Sequence, residues 1–305
     1  MRLLITGGSG FVGWNAVRYF VERGVDVVAT YRSLPHYLQK AGDCPAVELN
    51  VADAQAIDRV VARFQPTLIL HTAAITRPQE AIEPAEFFDT NVTGTANVVA
   101  AAARYDAGLV FLSTDLVYPE GAGYCDESSA VAPSGAGAYS RTKLEAEQVV
   151  RAGATRAIVL RPTLMFGDGP PRGNSFSTFI ERKWSAGQRA PLFSDQFRSF
   201  LFVEDLCSAI ETVAIVDAAW GELFVCGGPE RMSRAEFGLR YASARGVDAS
   251  MIETMRSTEL PGYAGGPSDI ALDSTKLRAH GWEPRNVEDA VRAMTERRVA
   301  GYDFT

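Results

Sequence analysis

The sequence is short of several residue types, and each shortage narrows the function. Its four cysteines, Cys44, Cys125, Cys207 and Cys226, are scattered with no C-x-x-C pair, and only His36, His71 and His280 offer imidazoles. Reduced thiols are expected, with no structural zinc and no metal site assigned. Basic residues are outnumbered, 30 Lys and Arg against 37 Asp and Glu, for a formal net charge of −7. That balance argues against nucleic acid as a partner, which needs a basic face. No apolar run approaches the ~18 residues of a membrane span, so no membrane partner is expected. The first strand begins almost at the first methionine, leaving no room for a signal peptide, and a cytoplasmic location is the expectation.

What is present is a globular composition, 47% hydrophobic and 22% charged over 305 residues, enough for one large α/β unit or two sub-domains. The organising stretch comes first. The apolar run Leu3-Leu4-Ile5 breaks into Thr6-Gly7-Gly8-Ser9-Gly10-Phe11-Val12-Gly13, in which Gly8, Gly10 and Gly13 fit G-x-G-x-x-G and Gly7, Gly10 and Gly13 fit G-x-x-G-x-x-G. An amphipathic stretch follows, with Val17, Phe20 and Val21 on one face. A strand entering a glycine turn that opens a helix is a cradle for a dinucleotide phosphate, because the free N–H groups of the new helix face the anion.

From residue 25 onward short β-branched runs alternate with longer helical stretches. Strands are expected at 25–30, 46–49, 67–71, 108–113, 157–160 and 222–225, and helices at 54–64, 84–104 and 139–151. This rhythm predicts a doubly wound parallel sheet of the Rossmann-like α/β class. After Arg161-Pro162 the texture changes to the Gly- and Pro-rich loop 167–173. Residues 1–162 and 196–226 are therefore assigned to the cofactor-binding domain, and 163–195 and 227–305 to a smaller substrate-binding lobe. Near the end, Asp273-Ser274 caps a short helix and Asn286 caps a last one through Arg298.

Tyr139 and Lys143 stand four residues apart, on one face of a helix. A cation there is expected to lower the phenol's pKa from about 10 and make it a proton donor to a carbonyl oxygen at neutral pH. Thr114 lies just past a strand's carboxyl end, where ligand crevices of open α/β sheets form, and its hydroxyl can hydrogen-bond the same oxygen. Thr114, Tyr139 and Lys143 make a coherent hydride-transfer set.

These motifs resemble those of the extended short-chain dehydrogenases/reductases, and within them the sequence is most similar to the dTDP-4-dehydrorhamnose reductase family. The resemblance also includes His71-Thr72-Ala73-Ala74, Asn91-Val92-Thr93-Gly94-Thr95, Arg161-Pro162 and Arg198 ahead of Phe202-Val203-Glu204-Asp205-Leu206. It implies Tyr139 as general acid, Lys143 as ligand of the nicotinamide ribose, Thr114 as the residue that orients the carbonyl, and Asp115 and Arg198 as contacts of a nucleotide-sugar substrate. It also implies Gly7, Gly10, Phe11, Val12, Gly13, Asn50, Val51, Ala73, Ala74, Asn91, Arg161 and Pro162 as cofactor contacts. Arg172 is a second candidate for the diphosphate, and Phe176, Phe179 and Trp184 could stack on a base, although a core face is the commoner reason for such residues. Gly266-Pro267 stands where an arginine-proline pair is usual in the family, and Asn50 where an aspartate is common.

Cofactor choice is read at the end of the second strand. Thr30-Tyr31-Arg32-Ser33 has no acid for a ribose 2′-hydroxyl, and Arg32 suits the 2′-phosphate of NADP over NAD. The expected reaction is NADPH-dependent reduction of the 4-keto group of a nucleotide-linked 6-deoxyhexose. Two alternatives stay open. One is an NAD-dependent epimerase or dehydratase, although Leu116 follows Asp115 where dehydratases of the superfamily carry a second acid. The other is a regulatory subunit such as the β-subunit of methionine adenosyltransferase, which is similar to these reductases. The long helices could pair a homodimer or face water.

Overall fold

The computed structural model describes residues 1–76, 84–132, 137–154, 156–170, 175–260 and 266–299. Seven strands form one sheet: β1 (Arg2–Thr6), β2 (Asp26–Tyr31), β3 (Ala46–Glu48), β4 (Leu68–His71), β5 (Gly108–Leu112), β6 (Ala157–Pro162) and β7 (Leu223–Cys226). Their order is β7-β6-β5-β4-β1-β2-β3, and every pairing is parallel. The expected fold class and its strands are observed, with ends shifted by a residue or two.

Strand periodicity splits the core into two layers. Leu3, Ile5, Leu68, Leu70, Val110, Leu112, Ile158 and Leu160 face one side, while Leu4, Ile69, Leu109, Phe111 and Val159 face the other. Helices α1 (Phe11–Glu22) and, later in the chain, Val203–Ala214 cover the first side through Trp14, Val17, Phe20, Leu206 and Ile210. Helices α2 (Ala54–Phe64), α3 (Gly94–Arg104) and α4 (Ala138–Gly153) cover the second through Ile57, Val61, Val98, Ala102, Ala146 and Val150. Strands buried on both faces need the continuous apolar runs seen here. The strand order reverses between β1 and β4, so the crevice lies at their carboxyl ends.

The stretch 84–104, expected as one helix, is broken. A π-helical turn, Asp89–Thr93, separates Pro84–Phe88 from α3. Its widened turn presents Asn91 to Ile75 and Thr142, tertiary contacts that local periodicity does not report.

A third cluster, including Phe166, Phe200, Phe202, Phe237 and Tyr241, lies around short strand pairs that were not foreseen: Ala190–Phe193 with Ile252–Met255, Met165–Phe166 with Leu201–Phe202, and Phe197–Arg198 with Met232–Ser233. Runs of two to four residues are too short to carry a period. Leu277 and Trp282, late in the chain, pack into the main-sheet core. The last helix, Val287–Val299, is capped as expected by Asn286, whose Oδ1 accepts from Asp289 N at 2.8 Å. Asp273, rather than Ser274, accepts from Thr275 N at 3.0 Å ahead of Thr275–Arg278. Among the described residues no helix is long and apolar enough to cross a membrane.

Candidate active site

The turn after β1 owes its shape to two glycines. Gly7 has φ +71°, and a Cβ there would meet Ala73 backbone atoms at 2.8 Å. A Cβ on Gly13 would sit 2.3 Å from the Gly7 carbonyl oxygen. Only glycine allows the two backbones this approach. Helix α1 starts from Gly10 with no side-chain cap and no acid in its first turn. Its first amides and the positive end of its dipole are thus left for an anion. The cradle fits a dinucleotide.

Two hollows, about 490 and 200 Å³, share Gly7, Ser9, Gly10, Thr72 and Ala74. The larger carries Phe11, Val12, Gly13, Thr114, Asp115, Leu116 and Arg198; the smaller carries Arg32, Ser33, Asn50, Val51 and Ala73. One end of the cleft thus has the exposed Arg32 and the other has Thr114, Asp115 and Arg198, while Tyr139 and Lys143 line neither hollow. A hollow of about 620 Å³ beside Arg18, Glu22 and Cys44 contains none of the candidates.

At the substrate end, Thr114 caps a short turn by accepting from Leu116 N at 3.2 Å, and its hydroxyl donates to Asp115 Oδ1 at 3.2 Å. Asp115 also accepts from Thr163 at 3.0 Å and lies 3.9 Å from the Arg198 guanidinium. Burial raises the Asp115 carboxyl above its ordinary range, with Arg198 opposing. Arg198 is itself buried and donates to the carbonyls of Phe197 and Pro267 at 2.6 and 2.9 Å. Pro267 thus anchors Arg198 through its backbone carbonyl.

The Tyr139 phenol feels both the Thr114 hydroxyl and the Asp115 carboxyl. The expectation that Lys143 lowers the phenol's pKa is corrected here. Burial raises it, the Asp115 charge raises it further, and the Thr114 hydroxyl only partly offsets them. Lys143 bears the complementary change: it is 3% exposed, with Nζ 4.0 Å from the Phe111 ring centroid, and burial brings its ammonium down to about 7 against an upward pull from Glu147. His71 links β4 to the glycine turn, its Nδ1 2.7 Å from Thr6 Oγ1 and its Nε2 3.1 Å from Thr95 Oγ1. Burial and then Lys143 lower its pKa to about 3, so it is neutral.

Two of the cofactor candidates make internal side-chain contacts. Arg161 forms a buried, two-pronged ion pair with Glu147, and Asn91 bonds Ile75 and Thr142, so both side chains are committed inside the protein. Pro162 ends β6 and is buried. Phe176 stacks on Phe200 and Trp184 on Tyr241, in the third cluster, and Phe179 is exposed. None of the three lines the cleft. Arg172 lies outside the described residues.

Sequence reasoning missed Arg234, Thr163 and Glu147. Arg234 lines the cleft with Arg198 at the start of a helix capped by Ser233 and Glu236, an S-x-x-E box readable in advance. Glu147 repeats the four-residue step from Tyr139 to Lys143.

A family model described as RmlD substrate binding domain matches residues 1–299. The low-salt glycan biosynthesis protein Agl12 of Haloferax volcanii is 32% identical over 97% of this chain and 98% of its own. Among solved structures, dTDP-4-dehydrorhamnose reductase from Bacillus anthracis in complex with NADP superposes with TM-score 0.81 at 23% identity, covering 97% of this chain and 99% of that one. The dTDP-glucose 4,6-dehydratase of the same organism, in complex with NAD, gives 0.80 at 23%, covering 99% and 97%. The fold accommodates both enzymes, so backbone likeness does not choose between them.

Proposed function

The chain belongs to the RmlD substrate-binding-domain family of extended short-chain dehydrogenases/reductases, and from that premise we propose that it is an NADPH-dependent reductase of the 4-keto group of a nucleotide-linked 6-deoxyhexose. The observation that carries this reading is a lone carboxyl, Asp115, beside Thr114 and the apolar Leu116 at the cleft, with the protonated Tyr139 phenol close enough to feel Thr114 and Asp115. Tyr139 is held in the acid form by burial and by Asp115, and a reduction needs that form to protonate the oxygen. Leu116, apolar and at the cleft, occupies the place of a second acid, which argues against elimination.

The cofactor would rest on Gly7, Gly10 and Gly13 with its adenosine toward Asn50 and Val51, and Arg32 would pair with a 2′-phosphate. When bound, it supplies the hydride. Thr114 would orient the keto oxygen, Tyr139 would give it the proton, and Lys143 would hold the nicotinamide ribose. Asp115 would fix a sugar hydroxyl, while Arg198 would face the diphosphate. Residues 163–195 and 227–305 would form the substrate-binding lobe.

The test is the Tyr139→Phe variant, which keeps the ring and removes the proton. Turnover is expected to fall by about 10²–10⁴-fold with little change in NADPH affinity. Wild-type turnover would rule the mechanism out.

A further inference from the structure

Behind the cleft lies a buried ion pair that this mechanism does not use. The side chains of Arg161 and Glu147 are 4% and 3% exposed. Arg161 Nε and Nη2 donate to the two carboxylate oxygens at 2.9 and 2.7 Å, and Nη1 donates to Tyr118 Oη at 2.9 Å. Tyr118 in turn donates to the Asp126 carbonyl at 2.7 Å. The Ser113 hydroxyl also donates to Glu147. Burying such a pair is poor value for stability alone, since desolvation offsets the attraction.

Its placement suggests another use. Ser113 directly precedes Thr114 at the end of β5, where its N–H donates to Leu160 O on β6 at 2.7 Å. Glu147 stands one turn beyond Lys143, which stands one turn beyond Tyr139, so the three share a side of α4. The groups that act on the Lys143 ammonium are Phe111 on β5, the neutral His71 on β4 and Glu147 on its own helix, with Arg161 on β6 behind the carboxylate. Of these, Glu147 is the one whose charge favours the ammonium.

We propose that Glu147, gripped by Arg161, is a positioning residue for the reduction: it ties the strand end that presents Thr114 to the helix that presents Tyr139 and Lys143, and it sets a negative charge one helical turn beyond the Lys143 ammonium. The proposal rests on the reductase reading, and the experiment separates the two.

In the cofactor-free protein labelled with 15N-lysine, the Lys143 Nζ signal is followed against pH; in parallel, the pH profile of kcat is recorded with NADPH and a 4-keto-6-deoxy nucleotide sugar. Glu147→Gln keeps the shape and removes the charge, so the Lys143 midpoint is expected to drop by about one pH unit, a tenfold fall in the ammonium-to-amine ratio, and the alkaline limb of kcat to move with it. Glu147→Asp keeps the charge and is expected to leave the midpoint within about 0.3 unit of wild type while lowering kcat severalfold. Ser113→Ala removes one tie and is expected to lower kcat without moving the midpoint. The proposal is overturned if Glu147→Gln leaves midpoint and limb in place, or if the Asp and Gln variants behave alike in both. Should Glu147→Gln fail to fold, Glu147→Asp and Ser113→Ala decide: a midpoint displaced in Ser113→Ala, or unchanged kcat in both, overturns it. Tyr139→Phe is assayed alongside; wild-type turnover there sinks the reductase reading, while the 15N titration still reports on Glu147.

Discussion

In the proposed reading Lys143 and Arg32 would act on the same cofactor from opposite ends, and their variants should fail differently. Lys143→Met removes the ammonium at the nicotinamide end, so kcat is expected to fall by at least about 10²-fold with a smaller loss of NADPH affinity; steady-state kinetics beside fluorescence titration checks the split. Arg32→Ser removes only the proposed 2′-phosphate contact. Charge-assisted bonds of this kind contribute about 1.5–3 kcal/mol, so NADPH should bind about 10- to 100-fold more weakly while NADH is unaffected. Equal losses for both cofactors would remove Arg32 from the site. At this scale the sequence was informative about placement, putting Tyr139 and Lys143 on one helix face and Thr114 just past a strand end. It was silent where long-range partners decide: nothing near Arg161 or Asn91 in the chain announces Glu147, Ile75 or Thr142.

The elements that make the cradle depend on backbone approach more than on side chains. Gly13→Ala would place a methyl against the Gly7 carbonyl, and α1 would have to shift outward to relieve it. A loss of about 1–3 kcal/mol in unfolding free energy is expected, together with NADPH binding weakened at least tenfold; calorimetry and titration on one preparation measure both. Unchanged NADPH binding in the folded variant would mean that α1 does not hold the phosphates. The glycine turn, the seven strands and the capped last helix were legible because each has a local signature: glycine spacing, apolar runs and Asn286. The π-turn at Asp89–Thr93 and the strand pairs of two to four residues were not, since their pairing is tertiary.

Across the whole molecule, the sheet and its two layers set pH limits as well as shape. His71 is neutral at the sheet's carboxyl edge with a pKa of about 3 against an ordinary 6.5. The folded state therefore binds its proton less readily than the unfolded state, so the stability it contributes is complete above about pH 6.5 and is lost as pH falls toward 3. His71→Gln escapes that loss. The stability gap between wild type and variant is expected to narrow by a few kcal/mol as pH falls through that window, read from denaturant melts at successive pH values. A gap independent of pH would mean that His71 does not titrate in this way. The same arrangement gives the cleft its two ends, and the central claim is that they bind NADPH and a keto sugar for reduction. The most direct measurement is NADPH and NADH oxidation by the purified, nucleotide-free protein with 4-keto-6-deoxy nucleotide sugars, beginning with the dTDP-linked one. Consumption of NADPH, well ahead of NADH and dependent on the sugar, is the predicted result; no consumption of either cofactor with any of these sugars would contradict the account.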